Sequence, residues 1–215
     1  MTEQKKKNLN FPVNVFVVGG GKYNANFLHN HNVVETISES DMVIFTGGED
    51  INPNLYNKGK HPTTNFNDNR DRYEVTMFHQ AKSLGKYMFG ICRGAQLLCA
   101  LSGGTLVQHQ IGSNGSHNMV TSEGEILLTT HIHHQSMNLE DLGKDEYELL
   151  AWDETKNKCY GESWGDVIER DKDPEFVYFN KTKAFGYQGH PEMMSSKLYK
   201  DTLEYINKII TEKIN

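Results

Sequence analysis

Cysteine and long apolar runs are both scarce in this chain of 215 residues. Its three cysteines are odd in number and include no C-x-x-C pair, which argues against a disulfide framework and favours a reducing compartment such as the cytoplasm. The longest apolar runs lie near residues 15–18 and 42–45, far short of the ~20 residues that cross a bilayer. The sequence therefore predicts no membrane span.

Basic residues are too few and too scattered for a nucleic-acid partner. The chain has 22 Lys and Arg against 28 Asp and Glu, a formal net charge of −6, whereas nucleic-acid binding requires a basic face. The one basic run, Lys5 to Lys7, precedes polar residues rather than an apolar segment, so we expect no secretory signal. We expect residues 1–10 to form a flexible tail on a single domain that spans residues 1–215.

Strand and helix signals alternate from the start of the chain, which favours an α/β sheet with helices on both faces. The apolar runs at residues 13–18 and 42–46 each stop at glycines, Gly19 to Gly21 and Gly47-Gly48. Such strand ends are typical of the carboxyl edge of a parallel sheet, where these folds bind ligands. Residues 52–69 predict a long loop beside this edge that is able to cover a site.

The remaining segments complete the predicted architecture. Residues 87–91 predict a buried strand, residues 95–101 a short helix, residues 105–189 a small antiparallel extension, and residues 195–210 a helix that packs back on the sheet. Residues 71–84 predict an amphipathic helix that turns Glu74 to solvent and buries one apolar row: Tyr73, Met77, Ala81 and Leu84.

Cys92 lies within Gly90-Ile91-Cys92-Arg93-Gly94, between the strand at residues 87–91 and the helix that follows. This is the spacing of a nucleophile elbow, with cysteine in place of serine. The turn places the thiol at a helix N-terminus, where the helix dipole favours the thiolate, and it points the backbone N–H of Arg93 toward a developing oxyanion. The alternative is a buried core cysteine without chemistry, which we expect for Cys99, while Cys159 is assigned no role.

A thiolate nucleophile needs a base, and the base needs an orienting group. The strongest candidates are His190 and Glu192, because Pro191 stiffens the segment between them and lets the imidazole and the carboxylate be held together. A lone histidine is more often structural. Only the combination with the elbow favours His190 over the other histidines, which are His29, His31, His61, His79, His109, His117, His131, His133 and His134.

Two other patterns suggest ligand binding but lack essential parts. His131, His133 and His134 suggest a metal site, yet no carboxylate or cysteine lies within a few residues to complete it. Gly19 to Gly21 before Lys22 is similar to a phosphate loop but lacks the G-x-x-x-x-G-K-[ST] spacing. The sequence therefore predicts neither a metal nor a cofactor.

Five motifs occur in order along most of the chain: Gly47-Gly48-Glu49-Asp50-Ile51-Asn52-Pro53 with Tyr56; Arg70-Asp71 with Glu74; Gly90 to Gln96 followed by Gly103 to Gln108; His133-His134-Gln135; and Gly186 to Glu192. Together they resemble the class I glutamine amidotransferase-like hydrolases, and within that family the gamma-glutamyl-GABA hydrolase and gamma-glutamyl hydrolase branch. The resemblance implies an α/β, flavodoxin-like fold with a mostly parallel sheet.

The resemblance also implies a role for each matching residue. Cys92 would be the nucleophile, His190 the general base and then the general acid, and Glu192 the group that orients His190. The backbone N–H groups of Gly48 and Arg93 would donate to the oxyanion. A small gamma-glutamyl substrate would contact three further positions: Gly47, Gln96 and His134.

Two departures from the family pattern predict a different pocket. Gly189 stands where the branch has tryptophan, so a large wall beside His190 is expected to be missing. Thr130 and His131 stand where the branch has asparagine and serine, which weakens any substrate-binding role there.

Three functions remain open from the sequence. The first is a free-standing hydrolase of gamma-glutamyl amides, which the motif at residues 47–53 favours. The second is a glutaminase subunit that delivers ammonia to a separate synthetase, because the chain has no synthetase domain of its own. The third is a scaffold or sensor that kept the fold, which the intact Cys92, His190 and Glu192 argue against.

Overall fold

The computed structural model describes residues 12–111, 115–154, 157–160 and 167–215. The predicted tail at residues 1–10 lies outside them. The helices are α1 (Asp68–Ser83), α2 (Arg93–Leu101) and α3 (Lys200–Ile214). The strands are β1 (Val13–Val18), β2 (His31–Val33), β3 (Met42–Phe45), β4 (Tyr87–Ile91), β5 (Thr105–Val107), β6 (Gln110–Ile111), β7 (Gly115–Thr121), β8 (Ile126–His131), β9 (Ser136–Asn138), β10 (Tyr147–Asp153), β11 (Asn157–Tyr160), β12 (Val167–Arg170), β13 (Asp173–Phe179) and β14 (Ala184–Tyr187).

Nine of these strands form one sheet in the order β2-β1-β3-β4-β14-β13-β10-β7-β8. The five strands from β2 to β14 run parallel to one another. The remaining pairs are antiparallel, and they extend the sheet by four strands. Smaller sheets contain β12-β11-β6 and β5-β9. The α/β fold with a parallel arm and an antiparallel extension is therefore confirmed.

Helices cover both faces of the sheet, as alternation along the strands requires. On β3, Met42 and Ile44 face a core cluster that includes residues of α3, while Val43 and Phe45 face a second cluster with residues of α1 and α2. No helix within the described residues is long and apolar enough to cross a membrane.

The buried face of α1 differs from the predicted one. Tyr73 and Leu84 are 48% and 47% exposed, whereas Glu74 is fully buried. The buried row consists of Asp71, Glu74, Phe78 and Ala81. Ala81 is buried as predicted, but the prediction was wrong for Tyr73, Leu84 and Glu74. Apolar periodicity cannot detect a buried ion pair, and here Asp71 and Glu74 both pair with the guanidinium of Arg93.

The C-terminal helix begins later than the sequence pattern predicts. A short 3-10 turn, Lys197–Tyr199, precedes it, and the Ser196 hydroxyl accepts a hydrogen bond from the backbone N–H of Leu198. Leu198 is 74% exposed and does not belong to the buried face. The buried face of α3 includes Thr202, Tyr205, Ile206, Ile209 and Ile210.

The predicted loop at residues 52–69 is tied to its surroundings. It begins with a 3-10 turn, Pro53–Tyr56, and ends at Asn67, whose side chain caps α1. Between them, the backbone N–H of His61 and the hydroxyl of Thr64 both donate to the Gln108 side chain, at 2.9 Å and 2.8 Å. The loop therefore lies against the segment that follows β5.

Candidate active site

Cys92 lies at the sharp turn between β4 and α2, in a backbone conformation that residues with side chains rarely adopt. Its φ is 50° and its ψ is −105°, and such strain costs about 1–3 kcal/mol. Strand and helix approach so closely that a Cβ on Gly90 would lie 2.4 Å from the Gly94 carbonyl, and a Cβ on Gly94 2.2 Å from the Phe45 carbonyl oxygen. The structure thus places an elbow where the glycine spacing predicts one.

His190 and Glu192 follow the end of β14, the strand parallel to β4. The register pairs Tyr187 with Ile91, so the residues after both strands emerge at the same edge of the sheet. The imidazole Nδ1 of His190 lies 2.8 Å from Glu192 Oε1, and the His190 ring and the Cys92 side chain both lie within 4 Å of the place that a Cβ on Gly47 would occupy. The structure therefore brings the predicted nucleophile, base and orienting carboxylate together.

The protonation state of His190 follows from these two partners. Burial alone lowers the pKa of His190, but its interactions with Cys92 and Glu192 raise it to about 10. The imidazole is therefore protonated at neutral pH. An imidazolium beside the thiol is suited to protonating a leaving amine.

The glycine loop after β3 packs directly on this group. A Cβ on Gly47 would lie 2.8 Å from His190 Cε1 and 3.7 Å from Cys92 Cβ. Gly48 has a φ of 151°, and a Cβ there would lie 2.1 Å from Nη1 of Arg70. Both positions therefore require glycine, and the loop lies next to the thiol where an oxyanion would form.

The predicted substrate contacts Gln96 and His134 already have protein partners. Gln96 is buried, and its Nε2 donates to the backbone oxygen of Gln135 at 3.0 Å. His134 Nε2 lies 3.0 Å from Asp50 Oδ1, and the hydrogen bond to Asp50 raises the pKa of His134 despite its partial burial. Both residues therefore border the elbow and the glycine loop rather than standing free.

Two contacts of the site were missed by sequence reasoning. The hydroxyl of Thr130 accepts the backbone N–H of His190 at 2.7 Å, although the sequence marked Thr130 only as a departure from the family. Gln188 is fully buried, and its Nε2 lies 4.0 Å from Cys92 Sγ. Its place within the last of the five motifs was the signal that the sequence offered.

Gly189 does not open the pocket as the sequence comparison predicts. A Cβ there would lie 2.6 Å from the hydroxyl oxygen of Thr129 and 3.0 Å from that of Thr130. The Thr129 hydroxyl is itself 2.8 Å from the phenol oxygen of Tyr187. A side chain at residue 189 would thus point at these residues of β8 and at Tyr187, which leave no room for the family tryptophan.

We therefore expect Gly189→Trp to destabilise the protein rather than to change its preference among amines. Overpacking costs about 1–3 kcal/mol, or roughly 2–4 °C of melting temperature for each kcal/mol in a chain of this size, and displacement of Thr130 should lower turnover of every substrate alike. Thermal melting and rates on several amides measure both effects. Gly59→Trp is the control, because nothing lies within 4 Å of a Cβ at Gly59. An unchanged melting temperature with an altered amine preference would support the open-pocket prediction instead.

Several of the other histidines form hydrogen-bonded and stacked groups. The rings of His131 and His133 stack with centroids 4.3 Å apart, and His131 Nδ1 lies 3.1 Å from Nδ1 of His117. Burial lowers the pKa of His131 and of His133, whereas hydrogen bonding to Glu175 outweighs burial and raises that of His117. In the part of the chain that the structure describes, no three or more His, Cys, Asp or Glu residues are arranged to hold a metal ion.

The two remaining cysteines are buried away from this chemistry. Burial raises the pKa of the Cys99 thiol to about 12, and its Sγ lies 3.6 Å from the backbone oxygen of Thr105. Burial also raises the pKa of Cys159. Cys99 is therefore a packing residue of α2, as predicted.

Comparison with solved structures identifies the class of fold. The chain is similar to PurLQS from Thermotoga maritima, with a TM-score of 0.59 and 16% identity over 94% of this chain and 99% of that one. It is also similar to the glutaminase domain of CTPS from Trypanosoma brucei, solved with bound acivicin, with a TM-score of 0.57 and 14% identity over 93% of each chain. The fold is that of the class I glutamine amidotransferase-like proteins.

Comparison of sequences then gives the family. The sequence profile of the Peptidase C26 family matches residues 18–158, a range that contains Cys92 and ends before His190. Since this is about two thirds of the chain, the protein belongs to the Peptidase C26 family.

Curated relatives match over a shorter stretch. The YvdE homolog of Lactococcus lactis subsp. cremoris, named as a glutamine amidotransferase-like protein, is 41% identical over 69 residues, which are 32% of this chain and 37% of that protein. Such matches span about a third of the length of the relatives.

Proposed function

We propose that this protein is a cysteine-dependent hydrolase of gamma-glutamyl amides. The observation that carries the proposal is the convergence of Cys92, His190 and Glu192 at the carboxyl edge of the sheet, with Nδ1 of His190 2.8 Å from the Glu192 carboxylate. Membership of the Peptidase C26 family supports amide hydrolysis. The motifs at residues 47–53 and 70–74, together with the resemblance that they carry, favour the gamma-glutamyl branch.

The reaction would proceed through a glutamyl thioester. The Cys92 thiolate attacks the side-chain amide carbon of the substrate, and backbone N–H groups of Gly48 and Arg93 stabilise the oxyanion; removing one such donor elsewhere costs about 3–4 kcal/mol. His190 gives its proton to the departing ammonia or amine as the carbon–nitrogen bond breaks. The neutral imidazole then takes a proton from water, whose oxygen attacks the thioester, and glutamate leaves as the thiol is restored.

A second candidate is a glutaminase subunit that supplies ammonia to a separate synthetase. The likeness to PurLQS and to the glutaminase domain of CTPS supports this alternative. The Cys92 chemistry would be the same, with glutamine as substrate and ammonia as the leaving group. The two functions differ in whether the protein turns over without a partner. For either one, three free cysteines fit a reducing compartment such as the cytoplasm.

Glutamate release by the purified protein distinguishes the two functions. The substrates are glutamine, gamma-glutamyl-GABA, other gamma-glutamyl amines and a poly-gamma-glutamate, with Cys92→Ala as the blank. We expect robust Cys92-dependent turnover of at least one substituted amide. A slow release from glutamine alone would favour the synthetase subunit, and no release from any of them would contradict the hydrolase.

A further inference from the structure

A buried carboxylate connects the two backbone segments that flank the thiol. Glu74 of α1 is fully buried, and its two oxygens pair with different arginines. Oε1 accepts from Nε of Arg70 at 2.8 Å, and Oε2 accepts from Nη1 of Arg93. The Glu74 side chain thus joins two guanidinium groups, and each of them contacts a different backbone segment.

Arg70 contacts the glycine loop after β3. Its Nη2 donates to the backbone oxygen of Gly47 at 2.9 Å, and its Nη1 donates to Glu49 at 2.7 Å. The same Nη1 occupies the space above Gly48, where a Cβ would lie 2.1 Å from it. The Arg70 guanidinium therefore holds residues 47–49 through both the Gly47 backbone and the Glu49 side chain.

Arg93 leads to the elbow. It is the residue after Cys92, and its fully buried guanidinium also pairs through Nη2 with Asp71 at 2.5 Å. A buried ion-pair network of this kind contributes little net stability, because desolvation of the charges offsets their attraction. Such a network can fix the positions of the segments that it joins relative to each other. Here those segments are the glycine loop and the elbow, which carry the backbone N–H groups of Gly48 and Arg93.

We infer that Glu74 is a positioning residue that sets the spacing of the two oxyanion donors, the N–H groups of Gly48 and Arg93. The inference rests on the proposed function, since it assigns both N–H groups to the oxyanion. Donors that stabilise a transition state must be in place before charge develops, and a displacement of about 1 Å can cost about 100-fold in rate. Glu74 therefore affects the chemical step without contacting substrate.

Glu74→Gln is the first test. The amide oxygen can accept from one arginine only, and its NH₂ group faces the other without an acceptor, so the spacing is lost. We expect kcat for the best gamma-glutamyl substrate to fall by about 10–100-fold with KM within about twofold of wild type. The rate of Cys92 alkylation by iodoacetamide should be unchanged, because that reaction forms no oxyanion and needs only an intact elbow.

Arg70→Gln tests the same connection from its partly exposed end and avoids a change in the core. It removes the donor to the Gly47 oxygen but leaves Glu74 paired with Arg93, and it should lower kcat to a similar extent. Since both residues act through one connection, the double variant should be about as slow as the slower single variant. Asp71→Asn is the matched control, because Asp71 pairs with Arg93 without contacting Arg70, and we expect at most a few-fold loss.

The outcomes separate this inference from the proposed function. Wild-type protein that is inactive on every gamma-glutamyl substrate would refute the function itself. Active wild type with normal kcat in Arg70→Gln would overturn the role of Glu74, even if Glu74→Gln does not fold. Equal losses of kcat and of the alkylation rate, or losses that multiply in the double variant, would overturn it as well.

Discussion

Cys92→Ala is expected to abolish turnover while the protein remains folded. No other cysteine can replace the thiol, since Cys99 and Cys159 are both fully buried. Loss of a nucleophile in a comparable triad lowers kcat by about 10⁶-fold, so we expect no signal above about 10⁻⁴ of the wild-type rate. Glutamate release and thermal melting of the purified variant are the measurements.

Cys99→Ala provides the matched control for this variant. Both cysteines are buried in or beside α2, and both substitutions remove one sulfur atom. Cys99→Ala should keep its activity and lose about 1 kcal/mol of stability to the cavity. If Cys92→Ala keeps activity within a few-fold of wild type, Cys92 is a buried core cysteine without a catalytic role.

His190→Gln is expected to be nearly as severe, with kcat lowered by about 10³–10⁴-fold. The glutamine side chain can hydrogen-bond but cannot transfer a proton, and general acid–base catalysis contributes about 10²–10⁴-fold on its own. His79→Gln is the control, because His79 lies on the exposed side of α1. A loss of less than about tenfold at His190 would place the proton transfer on another group.

The pH profile gives a second readout of the same residue. With a pKa raised to about 10, His190 is an acid that is present at neutral pH and is lost as the pH rises through 10. We therefore expect kcat/KM to fall on the alkaline side near pH 10. Glu192→Gln removes one of the two partners that raise this pKa, so it should move the alkaline limb to lower pH and reduce kcat less than His190→Gln does. An alkaline limb at the wild-type pH would show that a group other than Glu192 raises the pKa of His190.

Local sequence patterns were sufficient to predict the elbow. Positions 90 and 94 must be glycine because a side chain there would collide with residues close to Cys92 or with the adjacent β3. The spacing of the two glycines around Cys92 therefore predicts the elbow. The strands β1, β3 and β4 and the three helices were predicted from the runs and the spacing of apolar residues, whereas the antiparallel extension was predicted only as a region. The pairing of His190 with Glu192 is also local, as the two residues are separated only by Pro191.

Contacts between distant segments decided the rest. Glu74 was predicted to face solvent, but it is buried between Arg70, one turn earlier in α1, and Arg93, which approaches from the elbow, because a buried carboxylate needs charged partners. Gly189 was predicted to open the pocket, but the direction of its missing side chain depends on Thr129 and Thr130 across the sheet. The sequence by itself determined which residues we propose for the chemistry, and the tertiary structure decided what surrounds them, since packing and desolvation depend on neighbours that lie far apart in the chain.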